Sequence, residues 1–282
     1  MIHITECPRD AMQGIEAFIP TATKTAYMNA LLQVGFDRLD FGSFVSPRAI
    51  PQLADTAEVL GGLDLSGTGT DLLTIVANMR GANDALAHPE IAFLGYPFSI
   101  SETFQVRNTR KTIAQSLELV EEMQAACVAA DRTLLVYLSM GFGNPYGDPW
   151  SPEIAAEWTE KLVALGIRHI ALADTVGSAG PDTIGPLFHT LLATYPEVEF
   201  GAHFHAAPQD RAGKIQAAWD AGCRRFDVAM KGFGGCPFAE DELVGNIATE
   251  SLLAWAADQG IETELQADAL GQAMTLADGV FH

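Results

Sequence analysis

The sequence predicts an α/β chain folded as a (β/α)8 TIM barrel, on three observations. Strand-like and helix-like segments alternate from one end of the chain to the other. They form eight β-then-α units over roughly 250 residues, the number and length such a barrel needs. No Gly-x-Gly-x-x-Gly follows the first strand, which weighs against a doubly wound open sheet. No internal repeat, low-complexity segment or linker divides the 282 residues. They read as one barrel domain, 1–282, with 260–282 as a short C-terminal helical extension.

The strand candidates, in order, are His3–Glu6, Arg38–Phe44, Leu72–Asn78, Ile91–Tyr96, Thr133–Ser139, His169–Ala173, Val198–His203 and Arg225–Met230. Most are short runs of Val, Ile, Leu and Phe between Gly or Pro, as parallel strands buried on both faces require. Helical spacing runs over Thr21–Val34 and stops at Gly35. Thr109–Ala130 reads as one long amphipathic helix. Ser151 and Pro152 have the look of a cap and a first helical residue ahead of Ala155–Leu165, with Gly166 beyond it. Pro181–Thr194, Pro208–Ala221 and Gly245–Gln259 read similarly, and Glu264–His282 forms a last helical element.

Composition narrows the function. Sixteen basic against 36 acidic residues give a formal net charge of −20, which argues against nucleic acid and anionic membranes as partners. Mean hydropathy is +0.14 and no apolar run has membrane length. The chain opens directly on a strand-like segment, so the expectation is a cytoplasmic protein. Cys7, Cys127, Cys223 and Cys236 are scattered and form no Cys-x-x-Cys, which disfavours structural zinc, a redox dithiol and a disulfide framework.

In a barrel of this kind the active site lies at the C-terminal ends of the strands. Polar residues collect there. Arg9 and Asp10 follow strand one, Asp40 lies in strand two, and Asp174 and Thr175 close strand six. His203 and His205 close strand seven. Residues i and i+2 of a strand share a face, so two imidazoles project together, as a divalent metal would need if further ligands converge. Strand eight runs into the glycine-rich Lys231–Pro237, and Asn246 follows. Taken singly, Asp10, Asp174 and Asn246 also suit helix caps, Cys236 a small buried hydrophobe and Arg9 a surface ion pair.

Together these segments resemble the 3-hydroxy-3-methylglutaryl-CoA lyase family, the metal-dependent lyase branch of the TIM-barrel aldolase and Claisen-condensing superfamily. The resemblance rests on Glu6-Cys-Pro-Arg-Asp-Ala-Met-Gln13, Ser43-Phe-Val-Ser-Pro47, Ser101-Glu-x-Phe104 with Asn108, Ala173-Asp-Thr-Val-Gly177, His203-x-His205 and Gly234-Gly-Cys-Pro-Phe-Ala239 followed by Asn246. The Gly-Gly-Cys-Pro-Phe-Ala loop is the most specific of these. The resemblance implies Asp10, His203, His205 and Asn246 as ligands of a divalent metal, Mg2+ or Mn2+. It implies catalytic roles for Arg9, His203, Cys236, Asp174 and Asp40, and substrate contacts from Gln13, Ser43, Asn108, Thr175 and Gly235.

The implied reaction is aldol-type C–C cleavage of 3-hydroxy-3-methylglutaryl-CoA, or a close 3-hydroxy acyl-CoA, to acetyl-CoA and a keto acid. The partner is a small acyl-CoA-like molecule, and barrels of this kind often form homodimers. Four departures bear on the substrate. Ala206-Ala-Pro208 stands where the family continues Asp-Thr. Asp40 replaces a glutamate. Ala11-Met-Gln13 replaces Gly-Leu-Gln, with Glu16 at a position that is often basic. Asn144 replaces a cysteine. They keep two alternatives open: a different 3-hydroxy acyl-CoA or non-CoA hydroxy acid as substrate, and a binding barrel without catalysis. Arg48, Arg107, Arg110, Lys111 and Lys231 are the cations left for the phosphates of CoA.

Overall fold

The computed structural model describes residues 1–235 and 244–281. Eight strands close into a barrel in sequence order: β1 (His3–Glu6), β2 (Arg38–Ser43), β3 (Asp71–Ile75), β4 (Ile91–Ser99), β5 (Thr133–Ser139), β6 (His169–Asp174), β7 (Glu199–Phe204) and β8 (Arg225–Val228). Every neighbouring pair is parallel, and β1 beside β8 leaves no edge. After β1 come α1 (Pro8–Met12) and α2 (Thr21–Leu32), and after β2 comes α3 (Thr56–Gly61). The next connections carry α4 (Met79–Leu86), α5 (Glu102–Thr109), α6 (Ile113–Ala129), α7 (Pro152–Ala164) and α8 (Pro181–Thr194). The last carry α9 (Arg211–Asp220), α10 (Thr249–Asp258) and α11 (Ala267–Val280).

Where the elements differ from the sequence reading, local chemistry explains it. The long helix read over Thr109–Ala130 is two helices. Arg110 turns left-handed at φ 59°, and Thr112 opens α6 with a reciprocal capping box to Gln115. The helix read from Gly245 begins only at Thr249, because Asn246 and Ala248 first pair with His205 and Ala229. Strand β4 passes through Pro97 and stays in register with β5 as far as Ser99. Helices α1, α3 and α4 are five to eight residues long and too short to show periodicity.

Alternating strand residues divide the core. One set of side chains packs outward under the helices, as Leu39, Phe41, Leu94, Tyr96, Val136 and Leu138 do. The other set fills the barrel. Leu73, Ile75, Phe93, Leu135, Tyr137 and Ala171 form a small separate apolar cluster there. Much of the remaining interior is charged. At its N-terminal end Glu199 pairs with Arg38 at 2.9 Å, Arg225 at 2.8 Å and His169 at 3.0 Å. Burial opposes ionisation of Glu199, yet His169 and the two guanidinium groups hold its carboxyl well below the usual range. Among the described residues no helix is long and apolar enough to cross a membrane.

Candidate active site

At the C-terminal mouth of the barrel, β1 delivers Arg9 and Asp10 on α1, a single turn with Pro8 at its first position. Buried Arg9 is clamped from two sides. Its Nε and Nη2 donate to Asp40, the shortest contact being 2.6 Å. Its Nη1 donates to Asp10 Oδ1 at 3.1 Å and Gln13 Oε1 at 2.9 Å. Burial disfavours the guanidinium charge, but Asp40 and Asp10 more than restore it, so Arg9 is a fixed cation. Burial likewise pushes Asp40 up to about 6 against the pull of Arg9.

Asp10 is the hub. Oδ1 accepts from Arg9 and, at 2.8 Å, from Gln13 Nε2, while Oδ2 accepts from Asn246 Nδ2 at 2.7 Å. Burial works against its charge, but Arg9 and both imidazoles prevail and hold its pKa at about 2. Asp10, His203 and His205 each bring one ligand atom within 4.8 Å of the others. His203 Nδ1 lies 3.1 Å from Asp227 Oδ2, and His205 Nδ1 lies 2.9 Å from the Val244 carbonyl oxygen. With Nδ1 of each ring engaged, Nε2 of each is the nitrogen left for a cation, the usual way a metal-binding histidine is oriented.

Burial, and after it His203, push His205 down to about 4, so it is neutral and its lone pair free at pH 7. Burial also disfavours a charged His203, but Asp227 outweighs it and raises that imidazole above its ordinary value. Asn246 reaches the cluster because it forms an isolated bridge with His205. Its Nδ2 serves Asp10 and the Phe233 carbonyl oxygen, which leaves Oδ1 as the acceptor for a cation. One carboxylate, two imidazoles and an amide oxygen form a mixed N/O donor set that fits Mg2+ or Mn2+. Cys7, His203 and Asp227 also lie close together. Burial and then Asp227 push the Cys7 thiol far up, however, and a thiol that resists ionisation is a poor ligand.

Arg9, Asp10, Gln13, Asn108, Thr175, His203 and His205 line one cavity, together with Tyr137 and Ser139 of β5. Its other wall is apolar, built from Val45, Ile75, Ala77, Pro97 and Phe104. Asp40 sits beneath, reached through Arg9. Asp174 points elsewhere. It occupies the outward phase of β6, where its Oδ2 accepts from buried Lys214 at 2.6 Å and from the Ala179 amide at 3.1 Å. Lys214 also donates to the Gly177 and His205 carbonyl oxygens, so this pair braces the turn behind His205. Ser43 ties β2 to the Ile75 carbonyl oxygen and is not in the cavity wall. The Gly235 carbonyl oxygen accepts from Gln13 Nε2 at 3.4 Å. Cys236 lies outside the described residues.

Sequence reasoning passed over Tyr137, Asp227 and Lys214. Strand parity could have found the first two. Tyr137 is in phase with Ser139, and Asp227 is the lone acid in the run Arg225-Phe-Asp-Val. Nothing in the sequence around Lys214 distinguishes it from a surface lysine.

The HMGL-like family model matches residues 2–276. A hydroxymethylglutaryl-CoA lyase of Bacillus subtilis is 31% identical over 266 residues, 93% of this chain and 87% of that protein. An (R)-citramalyl-CoA lyase of Chloroflexus aurantiacus is 32% identical over 272 residues, 93% of this chain and 85% of that one. An HMG-CoA lyase from Acinetobacter baumannii, solved in complex with coenzyme A and 3-methylmalate, superposes with a TM-score of 0.92 at 32% identity, covering 100% of this chain and 91% of its own. A match this continuous, spanning every strand end that carries a polar side chain, places the chain in the HMGL-like family as a carbon–carbon lyase.

Proposed function

We propose that this chain cleaves 3-hydroxy-3-methylglutaryl-CoA, or a close 3-hydroxy acyl-CoA, to acetyl-CoA and a keto acid, using a divalent metal. The observation that carries this reading is the convergence of Asp10, His203 and His205 beside a buried, doubly clamped Arg9. Mg2+ or Mn2+ bound by those three side chains, with Asn246 Oδ1 alongside, would supply Lewis acidity at the C3 hydroxyl oxygen and lower its pKa. The chain's own residues account for the rest. Arg9 holds a fixed positive charge for the thioester carbonyl oxygen, where negative charge builds as the C2–C3 bond breaks. The bond's electron pair passes into the thioester enolate. The C3 hydroxyl proton leaves to a base, and the C3 oxygen remains as a ketone.

C2 then takes a proton from Cys236. The apolar wall from Val45 to Phe104 keeps bulk water from the enolate. Asn108 and Thr109 of α5 line the cavity, and Arg110 and Lys111, which follow them in the chain, are the candidate cations for the phosphates of CoA. Three buried free thiols, Cys7, Cys127 and Cys223, suit a reducing compartment, and we take the protein to be cytoplasmic and homodimeric.

A second reading shortens the acid. The Chloroflexus relative is named for (R)-citramalyl-CoA, and the same bond cleavage there would release pyruvate. An assay of acetyl-CoA release with each thioester, with and without Mn2+, decides between them. Metal-dependent turnover of the glutaryl substrate at the higher kcat/KM supports the first reading. Preference for citramalyl-CoA transfers the assignment to the second, and no turnover of either, or of any other 3-hydroxy acyl-CoA, contradicts both.

A further inference from the structure

Arg9 has few hydrogen bonds left to give. A guanidinium carries five N–H donors. Among the described residues Nε gives one to Asp40, Nη1 gives two to Asp10 and Gln13, and Nη2 gives one to Asp40. A single N–H on Nη2 remains. An enolate oxygen developing nearly a full negative charge in a dry site is ordinarily met by more than one aimed donor. The cavity holds a second donor that the reaction as described above does not use. Tyr137 is 6% exposed and lines the cavity, and its buried hydroxyl has no partner among the described residues. Of the described side chains with a buried, unpartnered polar atom, it alone lines this cavity.

The ring is held in place. It stands edge-on to His203, with centroids 5.2 Å apart and planes at 76°. Behind it, a Cβ on Gly95 would come within 3.0 Å of Tyr137 Cε2, so glycine there leaves room for the ring. Leu135 and Ile75 of the interior cluster complete the packing. A buried hydroxyl without a partner costs about 1–3 kcal/mol unless a ligand satisfies it.

From these observations we infer that Tyr137 is a further catalytic residue: its Oη–H is the second donor, with Arg9, to the thioester oxygen of the substrate as the enolate forms. This rests on the lyase reading above. The proton stays on Oη throughout. The C2–C3 electron pair moves into the enolate, and C2 is protonated by another group. A phenol with an ordinary pKa of about 10 keeps this proton at working pH.

Tyr137→Phe deletes the oxygen and leaves the ring contact with His203. With HMG-CoA and Mn2+, kcat should fall by about 100-fold, the usual cost of one such donor. KM and Mn2+ affinity should stay near those of the wild type, and the melting temperature of the ligand-free protein should be no lower, since the variant sheds an unpartnered buried hydroxyl. Solvent deuterium exchange into the methyl group of acetyl-CoA, which passes through the same enolate, should fall by a similar factor. A variant within threefold of the wild type in kcat and exchange overturns the role of Tyr137 alone. So does a loss that tracks weakened Mn2+ binding or a lowered melting temperature, which would mark a structural side chain. A wild type inert on every 3-hydroxy acyl-CoA overturns the lyase reading and this inference with it.

Discussion

Glu6→Gln should stabilise this barrel, and more so as pH rises. Glu6, the last residue of β1, is fully buried. Its Oε1 accepts from the Met230 amide at 2.7 Å, and its Oε2 lies 2.6 Å from Thr249 Oγ1. Burial, reinforced by Glu250 and opposed by those two hydrogen bonds, pushes its pKa up to about 8. In the unfolded chain it is an ordinary glutamate with pKa 4.5. Between those values the folded state holds a proton that the unfolded state has lost, so stability falls as pH rises through this window. Below it both states are protonated, and above it both are ionised, so the dependence ends. At 1.36 kcal/mol per unit, the loss from pH 4.5 to 7 is about 3 kcal/mol. Glutamine mimics the protonated acid, accepting from Met230 and donating to Thr249, and does not titrate.

The assay is thermal melting of wild type and Glu6→Gln from pH 5 to 8. The two should melt together near pH 5. By pH 7 the variant should melt roughly 6–12 °C higher, since 1 kcal/mol shifts a chain of this size by about 2–4 °C. Parallel curves across the range would refute the buried, protonated Glu6.

Other perturbations test other parts of the structure. Asp227→Asn removes the carboxylate that orients His203 Nδ1, and Mn2+ affinity by calorimetry should fall about 10- to 100-fold with the fold retained. Because Asp227 raises the pKa of His203, a proton competes with metal at that ring. Mn2+ affinity should therefore climb with pH through neutrality until His203 is fully deprotonated, while His205, neutral above about 4, adds no slope there. A flat affinity from pH 6 to 8 would contradict this. Glu199→Ala leaves Arg38 and Arg225 facing each other inside the barrel. Urea unfolding should show a loss of about 3 kcal/mol, the low end for a broken buried pair because the Glu199 side chain is 33% exposed.

The eight strands were legible because strands buried on both faces write continuous apolar runs, and hydrophobicity alone marks them. The short helices α1, α3 and α4 were not, since one or two turns carry no period. The break at Arg110 was written in the sequence as Thr112-x-x-Gln115, a capping box overshadowed by the amphipathic pattern around it. At the site, the sequence brought out Arg9, Asp10, His203, His205 and Asn246, and the fold draws them together. It could not give direction. Asp174 ends its strand one residue out of phase with the cavity-lining Ala173 and so meets Lys214, which arrives from α9 forty residues later. Tyr137 and Asp227 belong to the inward phase of strands whose apolar character hid them. Which polar residue faces the barrel depends on where each strand's pleat starts, and a shift of one residue reverses the answer.

The proposed cleavage requires a divalent cation held by Asp10, His203 and His205. The most direct test of that requirement is acetyl-CoA release from HMG-CoA by metal-stripped protein as Mn2+ is added back. Expected are negligible release without metal and a rise that saturates at one bound Mn2+ per chain, absent in His203→Ala. Full release by the stripped protein, or an undiminished rise in His203→Ala, would contradict it.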